Sequence, residues 1–182
     1  MSRKIVAHLA VSADGFIARP DGAIDWLDRP RPKGNYGMGE FVRSVDTILW
    51  GRKTYEMALA FQQQRKMSAP FDPKLKHYVF TRTLRQSEAA SGVEFVDEPV
   101  KPFAHRLRGC TGKNIWMMGG AGIIASFLDE GEMDEFEINM IPVFIGEGIP
   151  LVAPRHRNVP LELVSSRRFL DGVVGLHYAV RK

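Results

Sequence analysis

The sequence predicts a mixed α/β fold, with a mostly parallel sheet covered by helices on both faces and finished by an antiparallel hairpin. Three observations predict it. Short apolar runs of strand length alternate with segments of helical spacing, as repeated strand–helix units do. Several of those runs are apolar at nearly every position, which suits strands buried on both faces. The chain then closes on two alternating segments, Leu161–Arg168 and Val173–Val180, joined through Leu170-Asp171-Gly172. An Asp-Gly pair between alternating segments is a good hairpin signal.

The elements follow in order. Ile5–Val11 is an apolar run, Ser12-Ala13-Asp14-Gly15 a turn, and Phe16-Ile17-Ala18 resumes the apolar pattern. Pro20-Asp21-Gly22 is a second turn. Residues 28–39, rich in Pro, Gly and Arg, read as a loop, and Glu40–Ser44 as the end of a short helix. Thr47-Ile48-Leu49-Trp50 is a short buried strand stopped by Gly51. Lys53–Phe61 has helical spacing, with Tyr55, Ala58 and Leu59 on one face. Residues 62–73 form a polar, proline-punctuated loop. His77–Thr81 and Val93–Val96 are strands, and Phe103–Leu107 is a helix closed by Gly109. Asn114–Met118 is an apolar strand, followed by a glycine-rich turn and the helix face Ile123–Leu128, which Gly131 ends. Glu135–Phe144 alternates and then becomes continuously apolar, as a long strand does.

Bulk properties bound the function. At 182 residues the chain can bury a substantial core and is expected to form one domain, 1–182. Lys and Arg number 25 against 21 Asp and Glu, an excess compatible with a phosphate-bearing ligand. The charges are scattered, whereas a nucleic-acid partner needs a continuous basic stripe, so none is expected. No run approaches the ~20 apolar residues of a membrane span. The stretch after Arg3 and Lys4 is short, broken by His8 and without a small-residue cleavage site, so the expected setting is cytoplasmic with no membrane partner. The single Cys110 excludes an internal disulfide, the histidines show no metal spacing, and no metal is expected.

Three strand-to-helix junctions could carry chemistry. Gly119-Gly120-Ala121-Gly122 lets the backbone bend sharply and approach a ligand, and the helix after it points free N–H groups into the turn. The spacing is GGxG rather than the GxGxxG dinucleotide fingerprint, so a ligand-free tight turn is the competing reading. At Gly51-Arg52-Lys53-Thr54 two cations open a helix, against its dipole, and an anionic ligand would remove the conflict; the alternative is a pair of solvated cations. Thr81-Arg82-Thr83 places hydroxyls and a cation at a third strand end. Ligands of open α/β sheets bind outside the carboxyl ends of strands, and three phosphate-type junctions suit a long ligand such as a dinucleotide.

These residues, with Ser12–Ile17, carry a family resemblance. The segments SADGFIA, IDWL, ILWGRKTYE, VFTRT, WMMGGAGI and PVFIGEGIPL occur in order over nearly the whole chain. The chain resembles the dihydrofolate reductase-like superfamily, and more closely the reductase domain of bacterial riboflavin biosynthesis (the RibD C-terminal domain) and its stand-alone relatives. The resemblance implies a three-layer α/β/α fold, an NADPH cofactor, a small-molecule substrate and a homodimer. It implies that Gly51, Arg52, Lys53 and Thr54 hold phosphates and that Thr81, Arg82 and Thr83 hold the adenosine end with its 2′-phosphate. Gly119, Gly120, Ala121, Gly122 and Ile123 would wrap the pyrophosphate, with His8, Ala10 and Ile17 near the nicotinamide. It also implies a cis bond between Gly119 and Gly120.

Hydride reduction of a C=N or masked carbonyl also needs a proton on the heteroatom. Asp25, in Ile24-Asp25-Trp26-Leu27, is the candidate catalytic residue, orienting substrate or relaying a proton; the alternative is a helix N-cap. Glu40 is a second carboxylate nearby, and Asp14 reads as a turn residue. Arg29, Arg31 and Lys33 are either substrate-phosphate contacts or solvated loop charges. Glu147 stands in a glycine-rich loop, where the family often has glycine. The expected activity is reduction of a small heterocyclic or ribosylamino-pyrimidine substrate. The alternatives are a dihydrofolate or pterin reductase and a non-catalytic NADPH-binding module.

Overall fold

The structure, a computed structural model, describes residues 3–30, 35–65 and 72–181. In chain order the elements are β1 (Ile5–Ser12), β2 (Phe16–Ala18), α1 (Met38–Ser44), β3 (Val45–Gly51), α2 (Arg52–Arg65), β4 (Lys76–Phe80) and β5 (Val93–Val96). There follow α3 (Val100–Gly109), β6 (Asn114–Gly119), α4 (Ala121–Asp129), β7 (Glu135–Ile141), β8 (Ile149–Pro150), β9 (Leu161–Arg168) and β10 (Val174–Val180). Eight strands form one sheet in the order β5-β4-β3-β6-β1-β7-β10-β9. From β5 to β7 all pairings are parallel. Only β10 runs antiparallel, against both β7 and β9.

Period-two alternation sends each strand's side chains to both faces, and both are covered. Ile5, Ala7, Leu49, Ile115 and Met117 pack against Phe103 and Leu107 of α3 and Ile124 and Phe127 of α4. Val6, Ile48, Trp50 and Trp116 pack on the opposite face with Phe41 of α1 and Tyr55 of α2. The result is the expected α/β/α layering with a C-terminal antiparallel hairpin. Gly172 turns that hairpin at φ 87°, a left-handed conformation that glycine adopts without strain.

Element bounds shift where backbone chemistry intervenes. The strand expected over 135–144 stops at Ile141, because Pro142 has no N–H to donate and the Val143 N–H turns back to the Ile141 carbonyl at 2.8 Å. The Val143 carbonyl instead accepts from Ala13 N at 2.8 Å. The helix expected over 103–107 begins earlier, at Val100 after Pro99. Pro102 sits in its first turn, where a missing N–H loses no hydrogen bond. The helix expected over 53–61 runs from Arg52 to Arg65. The β2–β8 pairing is a small clasp that hydropathy patterning did not reveal. Of the loop expected over 62–73, residues 62–65 continue α2 and residues 66–71 lie outside the described residues.

Candidate functional site

β3 runs into α2 on one face of the sheet, while the adjacent β6 runs into α4 on the other. Neighbouring strands whose following helices depart to opposite faces leave a crevice at their carboxyl ends. The glycines here are what hold that crevice open. A Cβ on Gly51 would lie 3.3 Å from Ile123 Cγ2, 3.4 Å from Gly119 O and 3.5 Å from Gly120 N. One on Gly120 would lie 3.1 Å from Thr54 Oγ1 and 3.9 Å from Ile17 Cδ1. Gly51, Thr54, Gly119, Gly120, Ile123 and Ile17, drawn from separate segments, therefore converge. The Gly119–Gly120 bond is cis. The α4 N-cap is Gly120, with no side-chain cap bond, so the N–H groups of the first turn carry no capping side chain. A backbone cradle at a helix N-terminus with room for close approach fits a pyrophosphate.

Beside this crevice, at the ends of β4 and β5, lies a groove of about 390 Å³. Arg52, Thr81, Arg82 and Thr83 line it, together with Asp97, Glu98 and Ser126. The buried Thr81 Oγ1 accepts the N–H groups of Thr83 (3.2 Å) and Leu84 (3.1 Å), which fixes the turn and leaves its hydroxyl proton to donate. Arg52 bonds Glu56 at 2.9 Å, and Arg82 lies 3.9 Å from Asp97. Lys53, Gly122 and Arg82 are exposed, and Ala121 is buried at the start of α4.

The nicotinamide-side candidates separate. Ile17 reaches the glycine turn, and Ala10 is half-buried on β1. His8 is 5 % exposed and its ring stacks on Phe41 of α1 with centroids 4.4 Å apart. Its Nδ1 lies 2.9 Å from Glu137 Oε2, and its Nε2 lies 3.4 Å from Asn139 Nδ2. The hydrogen bond from His8 holds the Glu137 carboxyl below its ordinary range. The His8 imidazole is thus committed to a polar cluster beneath α1.

Asp25 is exposed and gripped by Arg19 through Nε–Oδ1 at 2.6 Å and Nη2–Oδ2 at 2.9 Å. That grip holds the carboxyl below its ordinary range, so Asp25 is an anion at neutral pH. The capping alternative is not met: the N-cap position is Ile24, and no side-chain cap bond forms. Glu40 is an exposed residue in the first turn of α1, and Glu147 is exposed in its loop. Arg29 is tied to the hairpin, donating to the Asp171 carbonyl at 2.9 Å, and Arg31 and Lys33 lie outside the described residues.

Two features escaped sequence reasoning. Asp14 is more than a local turn residue: its carboxylate accepts from Ser12 Oγ at 2.6 Å and from the N–H groups of Ile145 and Gly146 at 3.1 and 2.8 Å. It thereby ties the β1 turn to the loop after β7, a link across 132 positions that no local pattern shows. Asp97 and Glu98 enter the groove because β5 lies parallel to β4 and ends at the same edge. The rule that placed Thr81 at a strand end would have found them. Among the described residues no cluster could hold a metal ion, and no helix is long and apolar enough to cross a membrane.

Comparisons agree with this architecture. The chain is 39% identical over 180 residues to the uncharacterized protein YwjB of Bacillus subtilis (strain 168), covering 98% of each. A Shewanella sp. PV-4 protein assigned to riboflavin biosynthesis superposes with a TM-score of 0.83 at 26% identity, covering 100% of both chains. Dihydrofolate reductase from Enterococcus faecalis, solved with NADP(H), superposes with a TM-score of 0.66 at 16% identity over 100% of both chains, a likeness of fold. Residues 3–175 match the RibD C-terminal domain, and the chain belongs to that family.

Proposed function

We propose that this protein is an NADPH-dependent reductase that delivers hydride to a small heterocyclic substrate of the ribosylamino-pyrimidine kind. One observation carries the reading: the backbone cradle formed by Gly51, Gly119 and Gly120 adjoins the groove lined by Arg52, Thr81, Arg82 and Thr83, with Ile123 bordering both. A pyrophosphate in the cradle would take the first-turn N–H groups of α4 and the hydroxyl of Thr54, and the adenosine end would follow the groove. Membership of the RibD C-terminal family and the fold shared with an NADP(H)-bound reductase support this placement.

The bound cofactor would supply the hydride, and the chain would supply position and electrostatics. Ile17, which reaches the glycine turn, would form part of the apolar wall for the nicotinamide side. Asp25, ionised at neutral pH, would orient a donor group of the substrate rather than give up a proton. For that it must exchange its Arg19 partner for the substrate. The test is loss of NADPH absorbance against a panel of ribosylamino-pyrimidines, pterins, dihydrofolate and cyclic imines. Turnover of at least one member supports the reading. Tight NADPH binding with no turnover of any member would favour a non-catalytic binding module.

A further inference from the structure

The cations that line the groove are already matched by carboxylates. Arg52 holds Glu56 one helical turn away, at 2.9 and 3.2 Å. Arg82 faces Asp97 at 3.9 Å. The other groove carboxylate, Glu98, is paired outward to Arg106. The lining thus carries two guanidinium groups and two carboxylates, which sum to no net charge.

A ribose 2′-phosphate and a ribose 2′-hydroxyl would meet this lining differently. The phosphate monoester brings about −1.5 to −2 charges, must draw Arg82 away from Asp97, and then sits beside two carboxylates. The hydroxyl has a proton to donate, and a carboxylate at the carboxyl end of a strand is the acceptor dinucleotide sites use for it. Asp97 directly follows Val96, the last residue of β5, so its carboxylate stands at that end.

We propose that Asp97 sets the cofactor choice of this protein: by placing a negative charge beside Arg82 and offering an acceptor to a ribose hydroxyl, it makes the groove take NADH alongside NADPH. This rests on the reading of the groove as the adenosine end of a dinucleotide site. Lys53 and the uncapped first-turn N–H groups of α4 still favour a polyphosphate chain in general, so both cofactors bind. What Asp97 removes is the premium on the third phosphate.

Isothermal titration of the purified protein with NADPH and with NADH, without substrate, tests this. The wild-type dissociation constants should agree within about tenfold. Asp97→Asn and Asp97→Ser should each tighten NADPH by roughly five- to tenfold, because a like charge beside the phosphate is gone, and leave NADH unchanged or weaker. The Asp97 and Arg82 side chains are 72% and 92% exposed, so both variants should keep the wild-type thermal midpoint. If the wild type prefers NADPH more than a hundredfold, the proposal is overturned. It is equally overturned if both cofactors bind and neither variant changes their ratio; the reductase reading then survives. Failure of the wild type to bind either nucleotide overturns both.

Discussion

Replacing Gly51 with alanine separates the fold from the function at the crevice. The new methyl would stand 3.3 Å from Ile123 Cγ2, 3.4 Å from Gly119 O and 3.5 Å from Gly120 N. Carbon pairs rest at about 3.5–4.0 Å, so Ile123 must yield by a few tenths of an ångström. It is half-buried at the start of α4 and has room to do so. Gly51 ends a strand and is not left-handed, so alanine adopts its backbone without strain, gaining about 0.4–1 kcal/mol from the unfolded chain. Mild overpacking offsets that gain, and the net change should stay within about 1 kcal/mol. For a chain of this length that is a midpoint shift of no more than roughly 2–4 °C. The same methyl occupies the space where a phosphate would approach the backbone, so NADPH should bind at least about tenfold more weakly, a loss of about 1.4 kcal/mol. Thermal denaturation gives the first quantity and calorimetric titration the second. A stable variant that binds NADPH as tightly as wild type would show that no phosphate approaches Gly51, and an unfolded one would refute the packing estimate.

Three other outcomes are expected. Phe103 is fully buried, edge-on to Tyr78 at 5.2 Å and Phe80 at 4.9 Å; Phe103→Ala should cost about 3–5 kcal/mol in chemical denaturation, and a loss under 1 kcal/mol would mean that α3 packs loosely. His77 accepts from Trp50 Nε1 at 3.3 Å while its Nε2 bonds the Asp72 carbonyl at 3.0 Å, and burial pushes its pKa below 6.5. Its unfolded form binds the proton more readily, so the stability it contributes is complete above about pH 6.5 and declines as pH falls through the lowered folded value. Thermal midpoints from pH 7.5 to 5.5 should fall for wild type and fall less for His77→Gln; parallel curves would contradict the assignment. Asp25→Asn should leave the midpoint close to wild type, since the Arg19 pair is exposed. It should raise the Michaelis constant for substrate more than it lowers kcat, and unchanged kinetics would remove Asp25 from the site.

Much of the fold was legible because most strands announce themselves twice, by an apolar or alternating run and by the residue that stops it. Gly51 marks the end of β3, and Val93–Val96 and Leu161–Arg168 match the strands residue for residue. Local patterning failed where a long-range partner decides the outcome. β8 is two residues long, one of them proline, and is a strand only because Phe16 and Ala18 lie opposite. Pro142 ends β7 inside a run whose hydropathy continues to Phe144. In the site, the glycine positions were readable because each junction carries its own signature. The orientation of His8 was not: a histidine on a strand faces whichever side the register dictates, and here that side is α1 and Glu137. The pairing of Arg19 with Asp25 likewise depends on how the turn between them closes, which composition does not encode.

Dinucleotide binding in the crevice is tested by the thermal midpoint of the ligand-free protein against its midpoint with saturating NADPH. At about 100 times the dissociation constant, a ligand specific for the folded state adds about 2.7 kcal/mol. A dinucleotide held in this crevice should therefore raise the midpoint by roughly 5–11 °C. An unchanged midpoint at saturating NADPH and at saturating NADH would contradict it, leaving a reductase fold whose crevice holds no dinucleotide.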